Sequence, residues 1–454
     1  MRITLKIFLL TFASPLFSQD TLTFQKFLDY VLQNHPIIQN TQITTTQTFK
    51  AYLLKAKGQF DPKLSYDLQN KFFDNKNYFL YYNFEIKQPT YPGIDLNLNY
   101  NYASGMYINN DSYIPPSGLF SLGASIPVLR NLFYDERRLN IQTARLLNRN
   151  NKVFLNAQII NTLEWIIQDY WNFFEKFNLM LMYKNLVKTS FERYLNVKNA
   201  VKTGEIAPID TLDAGNQYQN FLLSYQKALL DYQNSKYQLL THLNNSIDTS
   251  FVAPVITNSI VFQNLDTTNL VLNYPELKTY QIKLKQLQLE RKLKIEFLKP
   301  QLNIKYNFLL QPFSDNYNYP LNMNNYKWGI DFVFPLFLRK ERAELKLINL
   351  KIQQTKNEFQ FKTQQTQNKL KIYFNNYLQY FNQLNFAIQL NNRYYQMLQA
   401  EIQNFKVGES NLFTINTREL YYLQSQAKVI EIAQKYYYYQ SLLNIVRKYS
   451  LESM

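Results

Sequence analysis

The sequence predicts a mainly α-helical chain with a β-barrel part, arranged as two tandem repeats of long helices and β-hairpins. Three observations predict it. Four landmarks recur in one order: NHPII at 34–38 against NYPEL at 273–277, FDPKLSYDL at 60–68 against LKPQLNIKY at 298–306, SIPVLRNLFYDERR at 125–138 against VFPLFLRKERAE at 333–344, and VKTGEIAPIDTLDA at 201–214 against FKVGESNLFTINTR at 405–418. Fixed-order repetition marks a duplicated architecture. Second, none of the fifteen prolines falls in 128–207, 209–253 or 336–454, and interior proline costs a helix about 3 kcal/mol, so long helices have room there. Third, segments of roughly ten residues alternate apolar with Asn-rich polar positions, as strands between lipid and water do.

Taken in order, residues 1–18 read as a secretory signal peptide, with Arg2 and Lys6 before an apolar run and Ser18 as the cleavage residue. The first repeat, 19–245, opens with a short helix at 22–33 and a helix at 35–57. Its strands lie at about 63–127 and its long helices at about 132–202 and 208–245. A linker at 246–266 sits at mid-height. The second repeat, 267–454, carries a helix at 274–297, strands at about 301–334, and helices at about 338–406 and 411–449. Neither half has a self-contained core pattern, which argues for one intertwined unit.

The long helix carries Leu139, Leu146, Val153, Ile160, Ile167, Phe174 and Leu181 at a strict seven-residue spacing. That spacing predicts packing along its whole length with a left-handed supercoil. A shorter seam, Leu345, Ile348, Ile352 and Phe359, appears in the second copy. A continuous 132–202 helix would be about 106 Å long at ~1.5 Å per residue. The paired shorter helices of each copy, stacked end to end, nearly match their long neighbour.

Alternation of period two is plainest at Ile94, Leu96, Leu98, Tyr100 and Tyr102 and at Leu302, Ile304, Tyr306 and Phe308. It recurs at Leu64, Tyr66 and Leu68, at Phe120, Leu122, Ala124 and Ile126, and at Tyr326, Trp328, Ile330, Phe332 and Phe334. With the run from Tyr78 to Lys87, six candidate strands result. Copy one is the longer between its prolines, and its extra part holds Tyr78–Lys87 and Ile94–Tyr102. QPTYPG at 88–93 suits a short periplasmic turn, and Gly105–Ser117 suits a longer outer loop.

Composition narrows the function. The chain has no cysteine, which excludes disulfides, thiolate metal sites, a nucleophilic thiol and a lipid-bearing cysteine. Net charge is +16, yet the export signal argues against nucleic acid, and a solvated surface accounts for the charge. His35 and His242, far apart in the chain, read as structural rather than as a zinc site. No phosphate-cradling loop, nucleophile elbow, or convergent acid, base or metal set is found, so no catalytic, cofactor or metal residue is assigned and no enzyme is expected. Tyr and Phe, 37 and 34 in number, suit membrane-interface girdles as well as helix packing.

Gly204 and Gly408 end long helices, where glycine supplies the left-handed cap. Pro208 fits a first helical turn. Asp210 and Asp213 follow it, and two readings stand: they serve the helix cap and dipole, or they form a cation-attracting ring.

The doubled order of N-x-P helix start, proline-led strand, proline before the long helix, and V-x-x-G with Asp and Ala downstream resembles the TolC family of outer-membrane efflux and secretion channels, over nearly all of the mature chain. The resemblance implies a homotrimer whose strands share one transmembrane β-barrel in outer-membrane lipid and whose helices form a periplasmic tunnel. It implies a passive exit duct for a tripartite efflux pump or type I secretion system, with an inner-membrane pump and a periplasmic adaptor (membrane fusion) protein docking at the tip. Adaptor contacts would then fall at Gly204, Gly408, Thr414, Thr417 and Arg418. Two departures stand out. Family members usually contribute four strands per protomer against the six counted here, and Thr414 and Thr417 occupy positions that are acidic in some members, leaving Asp210 and Asp213 to form any acidic ring. The competing reading is a periplasmic coiled-coil adaptor or scaffold with no membrane barrel.

Overall fold

A computed structural model describes residues 22–106, 108, 114–204, 207–243, 267–311 and 324–451. The expected signal segment, the 246–266 linker and residues 107 and 109–113 of the expected outer loop at 105–117 lie outside them. The described chain is mainly helical, with one sheet. Its elements are α1 (Phe24–Asn34), α2 (Pro36–Lys57), β1 (Lys63–Phe73), β2 (Lys76–Pro89), β3 (Asp95–Ser104), β4 (Leu119–Pro127), α3 (Glu136–Arg149) and α4 (Asn151–Lys202). After these come α5 (Pro208–His242), α6 (Thr267–Leu272), α7 (Pro275–Glu296), β5 (Gln301–Leu310), β6 (Tyr326–Val333), α8 (Arg339–Lys406) and α9 (Leu412–Leu451).

Local chemistry sets the helix boundaries. Pro36, Pro208 and Pro275 each open a helix, where a missing N–H costs nothing. Thr23 caps α1 by accepting from the Lys26 N–H at 3.3 Å. His35 stands between α1 and α2, and its carbonyl accepts from the Gln39 N–H at 3.0 Å. The helix expected to run unbroken over 132–202 starts at Glu136 and is interrupted at Asn150. There the Asn150 amide donates to the Leu146 carbonyl at 2.7 Å, the side-chain competition for backbone groups that makes Asn a poor helix-interior residue.

The residues fall into two compact units. One draws on the described parts of Met1–Thr41, Gln158–Leu270 and Gln367–Glu452, the other on Gln42–Ala157 and Val271–Thr366. Each unit takes segments from both sequence repeats, which explains why neither repeat carries a core pattern of its own.

The first unit is helical. Leu163, Ile166, Ile167, Tyr170 and Phe173 of α4 are fully buried, together with Phe27 and Val31 of α1, Leu239, and Leu443 of α9. Trp171 stacks on Tyr437 with ring centres 5.1 Å apart and donates to the Ser441 hydroxyl at 3.0 Å. The heptad seam is buried from Val153 to Phe174, but Leu181 is 38% exposed, and Met182 and Leu186 take its place. A straight helix drifts about 20° per heptad against a seven-residue repeat, so over the four heptads from Val153 to Leu181 the buried line moves by about 80°, nearly one residue.

The second unit holds a six-stranded antiparallel sheet in the order β1-β2-β3-β4-β5-β6. Asp74 and Asn75, both at positive φ (53° and 59°), form the two-residue turn between β1 and β2. β4 and β5, from different repeats, pair from Phe120↔Leu310 to Pro127↔Asn303. β1 and β6 are the edges, each with one side of its backbone unpaired among the described residues.

Candidate functional site

Register gives the sheet two chemically distinct faces. Leu64, Ile86, Leu98, Leu122, Phe308 and Tyr326 stand opposite one another in one row across all six strands. Five of the six are exposed, as are Trp328, Ile330 and Phe332 on the same face. An apolar surface of this extent calls for a non-aqueous covering.

The neighbouring row on the opposite face reads Lys63, Lys87, Asn97, Gly123, Asn307 and Lys327. Asn97 reaches over β4 to donate to the Asn307 amide oxygen at 3.1 Å. Gly123 leaves that path open, since a β-carbon there would collide with the Asn307 amide. Asn99 donates to Ser121 at 3.3 Å, and Tyr81 to Asn101 at 3.0 Å. Residues of all six strands line one cavity of about 970 Å³ on this side, so the polar face is concave.

In the first unit the VKTG turn at 201–204 and the FKVG turn at 405–408 end α4 and α8. Gly204 and Gly408 have φ of +77° and +81° with open space where a side chain would stand, and Glu409 N–H reaches back to the Asn404 carbonyl at 2.9 Å. The helices that follow are capped differently. Asn411 caps α9 by accepting from the Thr414 N–H at 2.8 Å. Ala207 offers α5 no side-chain cap, and Asp210 supplies negative charge in that first turn instead. Val197, Ala214 and Leu412 bury one another and join α4, α5 and α9. Close by, Arg193 clasps Glu419 through two bonds of 2.7 Å and donates to Asn416 at 3.2 Å.

The predicted tip residues separate into distinct settings. Asp213 and Thr417 line one groove of about 590 Å³ between α5 and α9, with Asn216, Gln217, Phe413 and Asn416. Asp210 is half-buried and not part of that groove. Thr417 donates to the Phe413 carbonyl at 2.9 Å, and Arg418 lies 3.7 Å from Glu401. Sequence reasoning missed the apolar residues at these turns. Ile209 and Phe413, equivalent in the two repeats, are 65% and 75% exposed; an apolar residue in the first helical turn at the same place of both copies was the available signal.

The two histidines, distant in sequence, meet in the first unit. His242 Nδ1 lies 3.4 Å from His35 Nε2, and His242 Nε2 lies 2.9 Å from Asp169. Both imidazoles are 3% exposed, beside Trp165. One arrangement satisfies these contacts: His242 Nε2–H donates to Asp169, His35 Nε2–H donates to His242, and His35 Nδ1 is left with no partner. Burial first, and His242 second, hold His35 below its ordinary value of 6.5. The unfolded chain therefore takes up this proton more readily than the folded one. The resulting stability is complete above about pH 6.5 and is lost as pH falls from there toward the lower folded value. Backbone amides around the α1–α2 junction should accordingly exchange faster, relative to intrinsic rates, as pH falls below 6.5. His35→Gln should flatten that dependence; an unaltered slope in the variant would assign it elsewhere.

Comparison with solved structures places the whole fold. It is similar to the Campylobacter jejuni CmeC outer membrane channel, with 15% identity, 94% of this chain and 85% of that chain covered, and a TM-score of 0.66. Likeness to the open state of the Neisseria gonorrhoeae MtrE outer membrane channel gives 12%, 94%, 88% and 0.66 on the same measures. For the outer membrane protein VceC of Vibrio cholerae they are 10%, 93%, 95% and 0.66. At these identities the likeness is one of fold, and it agrees with the TolC-family resemblance drawn from the repeated landmarks. No protein-family model matches the chain, and no curated protein matches it.

Proposed function

We propose that the chain is one protomer of a homotrimeric outer-membrane channel, the passive exit duct of a tripartite efflux pump or type I secretion system. The observation that carries this reading is the two-faced sheet with two free edges. Its apolar face suits lipid and its concave Asn-rich face suits a wet lumen. An open edge in lipid would leave each unpaired backbone group several kcal/mol short, so β1 of one copy pairs with β6 of the next until the barrel closes. The helical part then lies in the periplasm. A periplasmic adaptor docks at the turns of Gly204 and Gly408, where Ile209 and Phe413 offer exposed apolar contacts, and an inner-membrane pump supplies the energy. The duct performs no chemistry of its own.

Two measurements test the assembly. The full-length chain should resist carbonate extraction from membranes, and its mass in mild detergent should be that of three copies. A monodisperse monomer released into the soluble fraction would favour the adaptor reading instead.

The acidic pair gives a second test. Three copies of Asp210 and Asp213 around one opening would attract cations within a Debye length of about 8–10 Å. Asp210→Asn with Asp213→Asn retains side-chain shape and some capping capacity. In planar bilayers the variant should lose cation preference and sensitivity to divalent block. Unchanged selectivity with slightly lower thermal stability would leave the pair to the helix dipole.

A further inference from the structure

Where the strands give way to helices, the second unit gathers cations onto aromatic rings. Arg130 lies over Phe297 with 4.1 Å to the ring centre, Lys292 over Tyr134 at 5.4 Å, Lys299 over Phe133 at 5.9 Å, and Arg339 over Phe337 at 5.0 Å. Lys294 shares the Phe297 ring at 5.5 Å and pairs with Glu344 at 2.9 Å. A hydrogen bond from Lys294, then the charges of Lys294, Lys340 and Arg130, hold the Glu344 carboxyl below its usual range. These contacts join the patch into one: the β4–α3 connection, the end of α7 and the start of α8. Within it Glu344 and Glu296 are ion-paired, with Lys294 at 2.9 Å and Lys299 at 2.8 Å. Arg130, Lys292, Arg339 and Lys340 have no carboxylate at ion-pair distance among the described residues. Unlike the paired charges, they are in excess.

The rings are placed unusually for a water-facing surface. Phe133 is 67% and Phe337 69% exposed, and Leu336 is more exposed still. Phe133 and Phe337 stand six and four residues beyond Pro127 and Val333, the last residues of β4 and β6, so the patch lies at the helical end of the sheet. Both repeats contribute, since Arg130 and Phe133 stand in the landmark SIPVLRNLFYDERR and Phe337, Arg339 and Lys340 in VFPLFLRKERAE.

We infer that this collar binds the anionic headgroups of phospholipids, phosphatidylglycerol in kind, in the leaflet at the helical end of the barrel. The inference rests on the channel reading. Rings at the acyl boundary with cations reaching the phosphates are the arrangement that a charged bilayer interface stabilises. Two features favour a lipid surface over a free phosphate. The cations are spread along a rim rather than converged on one point, and apolar rings separate them.

The test uses the full-length assembly in mild detergent, exposed to equal amounts of phosphatidylglycerol and phosphatidylcholine, with retained lipids counted by native mass spectrometry. The parent should retain phosphatidylglycerol preferentially. Lys292→Gln, Arg339→Gln and Lys340→Gln, all at exposed positions, should together lower that preference by roughly fivefold for each charge removed. Salt at about 0.5 M should weaken it in the parent. An unchanged preference in the triple variant would overturn the inference, as would displacement of the lipid by inorganic phosphate alone. Dissociation of the variant with its lipid preference intact would make the patch a contact between copies. A carbonate-resistant trimer that retains both lipids equally overturns the collar alone, whereas a soluble monomer overturns the channel reading beneath it.

Discussion

Replacing Arg193 with alanine will loosen the turn end of the helical unit more than any other single change there. The substitution leaves the Glu419 carboxylate, whose side chain is only 6% exposed, without the partner that holds both its oxygens at 2.7 Å. Removing one member of a buried pair costs about 3–5 kcal/mol, and the partial exposure of Arg193 puts the expectation near the lower end, about 3 kcal/mol. Because unfolding of so long a chain need not be two-state, native-state hydrogen exchange is the measure of choice. Amides in the first turns of α9 should open more readily by about that amount, roughly a hundredfold in exchange rate. Arg193→Met with Glu419→Met removes the stranded charge and should recover most of the loss. Equal losses in the single and double variants would mean that the pair is not what holds α4 to α9.

Arg138→Ala should do comparable damage at the start of α3. This guanidinium is 8% exposed. It donates to the Leu132 carbonyl at 2.9 Å and to the Asn131 carbonyl. Its Nε lies 3.3 Å from Asp135 Oδ2, close enough for charge attraction although off the line of a hydrogen bond. Asp135, itself buried, caps α3 by accepting from the Arg138 N–H at 2.7 Å. Alanine would strand two carbonyls and leave the buried Asp135 carboxylate with Arg137, 3.8 Å away, as its remaining cation, costing about 3 kcal/mol. Arg138→Lys should restore little, since one ammonium cannot span the partners that the planar fork reaches. Denaturant titration followed on the strands would register the change. A midpoint within error of the parent would remove Arg138 from this role.

These two clasps mark where sequence reading stops. The sheet was legible because a period of two in Leu64, Tyr66 and Leu68, repeated around Leu98, Leu122 and Tyr306, fixes which side chains share a face whatever the rest of the chain does. The helices were legible because the fifteen prolines stay out of their interiors, and three of them open a helix. Arg193 and Glu419 are separated by 226 positions, and His35 and His242 by 207. No local pattern reports such a meeting; it depends on how helices of one repeat settle against those of the other. The break at Asn150 and the exposure of Leu181 lie between these extremes. Both follow from rules legible locally, side-chain competition for backbone groups and helical drift, but the heptad pattern outweighed them. At the turns the glycines announced themselves, whereas Ile209 and Phe413 did not, because an isolated apolar residue carries no period.

The order of strands has a consequence for how the chain acquires its structure. Four of the five ladders join strands that are neighbours in sequence, and the Asp74–Asn75 turn makes the β1–β2 pair the most local of them. The β4–β5 ladder differs, since Pro127 and Asn303 find each other only across α3 to α7. Closing a long loop costs little more than closing one half its length, about 0.6 kcal/mol per doubling, so the equilibrium scarcely registers the separation. The rate does, because distant pairings are slow to form. During that delay the free side of β4, with its apolar row, is a template for whatever strand arrives first. Strand β5 of another copy fits it as well as the chain's own, which makes exchange of repeats between chains the characteristic error to which this topology is open.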